Sequence, residues 1–134
     1  MSRAHVEALV AANPDLRVVV REWPIFENSD VAAKMALAAA KQGKFAAFHQ
    51  KMFETGPPTE RNILSAATSA GLDVTEAQKF MTSQEAEFEL AKNTTLARQL
   101  GFGGTPSWVI GDQAFEGAVG QEALQEAIDA ARGG

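Results

Sequence analysis

The chain has 134 residues, 46% of them hydrophobic and 22% charged, the size and balance of one globular domain, which excludes a second full domain and a disordered or fibrous protein. A formal net charge of -5, with 12 lysines and arginines scattered along the chain, offers no basic footprint for a nucleic-acid backbone or an anionic membrane, so neither is an expected partner. There are no cysteines, so disulfides, thiolate nucleophiles and cysteine-held metals are excluded within these residues, and no cofactor is implied.

The start, Met1-Ser2-Arg3-Ala4-His5, lacks the charged and apolar regions of an export signal, and no stretch approaches the roughly 18 consecutive apolar residues of a membrane span. A cytoplasmic location is therefore expected if Met1 is the natural start. Residues 4–12 place Val6, Leu9 and Val10 at helical spacing, and Asn13-Pro14-Asp15 stops that helix, because a proline disfavours helical geometry in the residue before it. Residues 16–22 carry Val18, Val19 and Val20 in a row, a β-branched run that predicts a strand buried on both sides. Trp23-Pro24-Ile25-Phe26 ends it, since proline cannot donate to a ladder.

Asn28 and Ser29 are good N-caps for an alanine-rich helix that carries Val31, Met35 and Leu37 to Gln42, with Gly43 as its stop. A helix over residues 44–54 follows, with Phe45, Phe48, Met52 and Phe53 on one face, until Gly56-Pro57-Pro58 breaks the chain. Thr59 caps the next helix and Gly71 ends it. Thr75 with Gln78 reads as a capping box for a short helix ending near Met81, and Ser83 opens a longer helix that runs to Gly101. Ser107-Trp108-Val109-Ile110 and Gln113-Ala114-Phe115-Glu116 flank Gly111-Asp112, a two-residue connection that predicts an antiparallel hairpin. Residues 121–132, with Leu124, Ala127, Ile128 and Ala131 on one stripe, form an amphipathic closing helix. A helical block joining a buried strand to a later hairpin implies an α/β layer architecture with a helical insertion.

The tract Leu16-Arg17-Val18-Val19-Val20-Arg21-Glu22-Trp23-Pro24-Ile25, the junctions Lys41-Gln42-Gly43-Lys44-Phe45 and Phe48-His49, the turn Ala70-Gly71-Leu72-Asp73, and Leu100-Gly101-Phe102-Gly103-Gly104-Thr105-Pro106-Ser107 before Val109-Ile110-Gly111 stand in the order found in bacterial disulfide bond formation protein A (DsbA). The chain resembles that family over nearly its whole length. The resemblance implies one thioredoxin-like domain over residues 1–134, incomplete at its N-terminus, with a helical insertion over residues 28–101 and a hairpin and helix over residues 105–132. It also implies that Gly104, Thr105 and Pro106 are the substrate-binding loop, with Pro106 cis beside the position of the family's C-x-x-C. A cis X-Pro bond costs only about 0.5–1 kcal/mol, and an exposed Thr105 backbone there can pair with an extended peptide or protein segment.

The family's C-x-x-C and the central strand before it have no counterpart in this chain. Without that strand the two flanking strands face a gap of roughly 9.6 Å in place of the 4.8 Å of a paired ladder. Each unpaired backbone group there costs about 1–3 kcal/mol, so a homo-oligomer that closes the open sheet is one expectation. The implied parent is a periplasmic or exported thiol-disulfide oxidoreductase, with this chain as its redox-inactive body. The alternative is a redox-dead module that binds peptides or partners.

Other side chains carry less. Related kappa-class glutathione transferases use a serine nucleophile, and His5 stands three residues after Ser2, within helical reach of it. Ser2, however, follows the initiator with no strand before it, which points to a chain end. His5 and His49 are the only histidines and lack a spaced carboxylate, so no metal site is expected. Glu22 beside Trp23 reads as a strand glutamate, with a buried, proton-transferring carboxylate as its functional alternative. Trp23, Trp108 and Phe115 read as core in preference to a groove. Phe45, Phe48, Phe53 and Phe88 are expected to pack the helical block on itself.

Overall fold

A computed structural model describes residues 3–25 and 29–133. Ser2, Phe26 and Asn28, singled out above, lie outside the described residues. The elements are α1 (Arg3–Ala12), α2 (Ser29–Lys41), α3 (Phe45–Thr55), α4 (Glu60–Ser69), α5 (Val74–Met81), α6 (Gln84–Gln99), β1 (Ser107–Ile110), β2 (Gln113–Glu116) and α7 (Gln121–Gly133). They divide into two compact units, one formed by residues 1–20 and 97–134 and the other by residues 21–96.

The helical unit is built from punctuation that the sequence carries. Gly43 and Gly71 adopt left-handed φ of 70° and 82° where α2 and α4 end, a conformation glycine enters without steric cost. The Thr59 hydroxyl caps α4 by accepting a hydrogen bond from the Asn62 amide at 3.2 Å. α5 is capped by Asp73, whose carboxylate accepts from the Glu76 amide at 3.1 Å. This corrects the Thr75 capping box: Thr75 lies inside the helix, and the acidic Asp73 side chain reaches a free amide and favours the positive helix end. Asp73 is itself bracketed by Gln42, which donates to its carbonyl at 3.0 Å and accepts from its amide at 2.9 Å. The core here is Met35, Ala36, Ala38, Ala39, Phe48, Ile63, Ala66, Ala67, Leu72 and Ala77. Its many alanines bring helix backbones close together, and the few large side chains fill what remains.

In the other unit β1 and β2 form a two-stranded antiparallel sheet, with Trp108 opposite Phe115 and Ile110 opposite Gln113. Gly111 takes φ of 60° in the connecting turn, as a tight hairpin requires of its first central residue. Leu9 of α1 and Leu124 and Ile128 of α7 are the buried centre, against which Leu16, Trp108, Ile110, Phe115 and Val119 pack. Asn13, 2% exposed, donates to the Leu9 carbonyl and to the Gln125 side chain, both at 2.7 Å, and accepts from Gln125 Nε2 at 3.0 Å. That two-way amide pair ties the end of α1 to α7 and leaves no polar atom of Asn13 unsatisfied.

The expectation of a strand over residues 16–22 is corrected. This stretch forms no ladder, and Val18, Val19 and Val20 are 45%, 59% and 52% exposed. β-branched residues fit a pleated, half-buried surface, but they make a strand only where another backbone lies alongside to pair with. Phe53 and Phe88, expected in the helical core, are instead 64% and 71% exposed. Each sits on the outer side of a helix whose inner side is filled by other residues.

Two substitutions test these cores. Gly111→Ala forces a side chain into the left-handed region and sets its Cβ 3.0 Å from that of Ala131; denaturant unfolding is expected to show a loss of about 1–2 kcal/mol. Ile63→Ala, at a site 2% exposed, is expected to cost about 2–5 kcal/mol in the same measurement.

Candidate functional site

The expected substrate loop precedes β1. Thr105 and Pro106 are exposed and Gly104 is half-buried, and the Thr105–Pro106 peptide bond is cis. The loop is fixed on both sides by its neighbours. The Gly103 amide donates to the Glu116 carboxylate, Ser107 Oγ donates to the Gly104 carbonyl at 2.6 Å, and the Pro106 carbonyl accepts from the Gly117 amide at 2.7 Å. Trp108 Nε1 donates to the Gly117 carbonyl at 3.2 Å, which holds the facing segment. Among the described residues no backbone hydrogen bond reaches Thr105. Thr105 is exposed on a loop whose neighbouring groups are hydrogen-bonded.

The helical unit holds a second concave feature. A cleft of about 440 Å³ is lined by residues 22–24, by α2 and by α3, with Glu22, Trp23, His49, Met52 and Phe53 among its walls. Asn93 positions this wall: buried on α6 at 4% exposure, its Nδ2 donates to the Glu22 carbonyl at 2.9 Å while its Oδ1 accepts from Arg21 at 3.3 Å. The Glu22 side chain is mostly shielded from water, and this desolvation pushes its carboxyl above the ordinary glutamate range. His49 stacks on Phe45 with ring centres 5.3 Å apart and meets Phe53 edge-on at 5.0 Å. One aromatic group per turn thus lines one side of α3.

Of the residues weighed in the sequence, Trp108 and Phe115 pack against the core, and Trp23 faces the cleft. Glu22 is a shielded carboxylate and not a surface strand glutamate. His5 is exposed on α1. Asn13 was read only as part of a helix stop and Asn93 was missed altogether, since neither a stop signal nor an asparagine in a helical pattern carries a sign that the side chain will be buried. Asp15 hydrogen-bonds Arg132, with Nε 2.9 Å from Oδ2, and the guanidinium holds the Asp15 carboxyl below its usual range. That pair is open to water and contributes little to stability.

Residues 3–129 match the DSBA-like thioredoxin domain. The chain belongs to that family. Mostly helical with a small two-stranded sheet, this DSBA-like chain shares the thioredoxin-like fold of known oxidoreductases. It is similar to a thioredoxin-like oxidoreductase from Silicibacter pomeroyi DSS-3, at 43% identity and a TM-score of 0.92, covering 98% of this chain and 77% of that one. It is also similar to a periplasmic thioredoxin-like protein from Salmonella enterica serovar Typhimurium, at 27% identity and a TM-score of 0.82, over 98% of this chain and 75% of that one. The thiol-disulfide exchange protein alpha-DsbA2 from Wolbachia pipientis matches at 26% identity and a TM-score of 0.83, over 95% of this chain and 71% of that one. Among curated proteins none matches. The family is one of thiol-disulfide oxidoreductases, and this DSBA-like chain contains no cysteine.

The shielding of Glu22 has a measurable consequence. The folded state holds the Glu22 proton more tightly than the unfolded chain does. Its contribution to stability is therefore full below the ordinary glutamate value and is lost as pH rises through the raised value. Glu22→Gln, neutral throughout, is expected to gain stability relative to the parent chain between about pH 4 and pH 7, read as the difference in denaturant midpoint at the two pH values. A pH-independent difference contradicts a shielded carboxylate.

Proposed function

We propose that this chain is the redox-silent body of a DsbA-type thiol-disulfide oxidoreductase, and that its Gly104-Thr105-Pro106 loop receives an extended segment of a protein substrate. The observation that carries the reading is the Thr105 backbone, exposed on a loop held by hydrogen bonds on both sides yet itself unbonded among the described residues. Strand addition gives affinity through the main chain and tolerates varied substrate side chains, which suits an exchange enzyme acting on many proteins. Disulfide exchange proceeds when a thiolate attacks a disulfide sulfur and the second sulfur leaves as thiolate. Residues 1–134 hold no sulfhydryl, so the attacking thiolate and both sulfurs of the disulfide in any exchange on this scaffold come from outside them. Periplasmic action of the parent is supported by the likeness to the Salmonella protein.

A second reading is favoured by one observation, the exposed run Val18-Val19-Val20 with no ladder partner. An unpaired apolar stretch of this kind recruits another backbone. In this reading the chain is a peptide- or partner-binding module without redox chemistry, and a second copy covers the valines.

The 134-residue chain is expected to show no turnover in insulin reduction, and titration with an unstructured peptide is expected to shift the NMR amide signals of Gly104, Thr105 and Ser107. Turnover by the purified chain, or peptide-induced shifts confined to other regions, overturns the first reading. Light scattering decides the second: a dimer that Val19→Lys converts to monomer supports it, and a monomeric parent chain rejects it.

A further inference from the structure

Glu22 lines the 440 Å³ cleft, and among the described residues no hydrogen bond or ion pair reaches its carboxylate. The nearest cation in sequence, Arg21, is directed to Asn93 Oδ1 at 3.3 Å. Lys34, on the neighbouring α2, is engaged with Asp30 at 3.2 Å and with Glu87. The only other titratable group lining the cleft among the described residues is His49, and its ring stacks on Phe45 and meets Phe53 edge-on. The remaining walls are largely apolar: Trp23, Ala33, Phe48, Met52 and Phe53.

A carboxylate on an apolar wall without a counter-ion is costly, and the cost falls when a cation enters with it. Aromatic faces favour a cation as well. The volume lies within the roughly 300–1,000 Å³ of small-molecule sites, which pair apolar walls with a few placed polar groups. A neutral apolar ligand leaves the carboxylate more shielded than before, and an anion repels it. The lining therefore selects for positive charge carried on an apolar body.

We propose that this cleft binds an organic cation, a primary ammonium on an aromatic or alkyl stem, with the ammonium at Glu22 and the stem between Trp23 and the Met52–Phe53 side of α3. The site lies wholly within the helical unit and includes none of Gly104, Thr105 and Pro106, so it stands or falls independently of the peptide-binding loop. A free amine and a lysine side chain of a bound chain share this chemistry.

The test is an NMR titration of the isotope-labelled chain with phenethylamine, with its neutral counterpart 2-phenylethanol, and with N-acetyl-lysine methylamide, following the Trp23 indole and Met52 methyl signals. Phenethylamine is expected to move both signals and to bind about tenfold or more tightly than 2-phenylethanol. Glu22→Gln is expected to remove that preference, its dispersed spectrum reporting that it is folded. Phe53→Ala, at an exposed position that the core does not need, is expected to weaken binding severalfold and provides a second route should Glu22→Gln not fold. Tighter binding of the amine than of the lysine derivative assigns the site to a free small molecule, and the reverse assigns it to a lysine-bearing chain. Equal affinity for phenethylamine and 2-phenylethanol, an undiminished preference in folded Glu22→Gln, or shifts that spare Trp23 and Met52 overturns the proposal.

Discussion

A backbone without a neighbouring strand must find its hydrogen bonds elsewhere, and the segment of residues 16–22, which pairs with no strand among the described residues, is held at its two ends by two buried asparagines. At its start Asn13 accepts the Leu16 amide through its backbone carbonyl at 2.9 Å, while its side chain is locked to Leu9 and Gln125. Near its end Asn93 holds the Glu22 carbonyl and takes the Arg21 guanidinium. Asn13 and Asn93 are the only buried polar residues among the described residues. A short side-chain amide offers both donor and acceptor, so each can do locally what a ladder does along a strand. Between these anchors the valines have nothing to pair with, and they stay exposed.

Asn93 also determines where the chemistry of the helical unit lies. By holding the Glu22 carbonyl it fixes the backbone of a segment whose residues Glu22 and Trp23 line the cleft. Loss of that amide frees the backbone that carries the only carboxylate lining the cleft among the described residues. In the other unit the same economy appears at the loop before β1. Glu116, Ser107 and Gly117 each satisfy a neighbour of Thr105 and leave Thr105 itself open. In both places a polar group is left open because the groups around it are already satisfied.

Much of this was legible in the chain. Helix ends are local events: Gly43, Gly71 and the Thr59 cap act within one turn, so their residue types announce them. The hairpin is equally local, since Gly111-Asp112 sets the turn and the turn sets the register that puts Trp108 opposite Phe115. The Gly104-Thr105-Pro106 loop was singled out only by resemblance; turn chemistry alone marks it as a bend. The cap of α5 was misplaced by two residues because Asp73, Thr75 and their followers all suit a helix start, and only the Gln42 bracket around Asp73 decides between them.

By itself the sequence determined the order of the helices, the hairpin and the absence of thiol chemistry within these residues, because each rests on residue type and short-range spacing, and its motifs carried the resemblance to the family. The tertiary structure alone decided that residues 16–22 form no strand, that Phe53 and Phe88 face outward, that Asn13 and Asn93 are buried, and that Glu22 shares a cleft with His49. Each of those depends on which backbone or side chain lies alongside. A strand needs a partner, a buried amide needs an opposite amide, and a shielded carboxylate needs walls, and these neighbours come from residues distant in the chain.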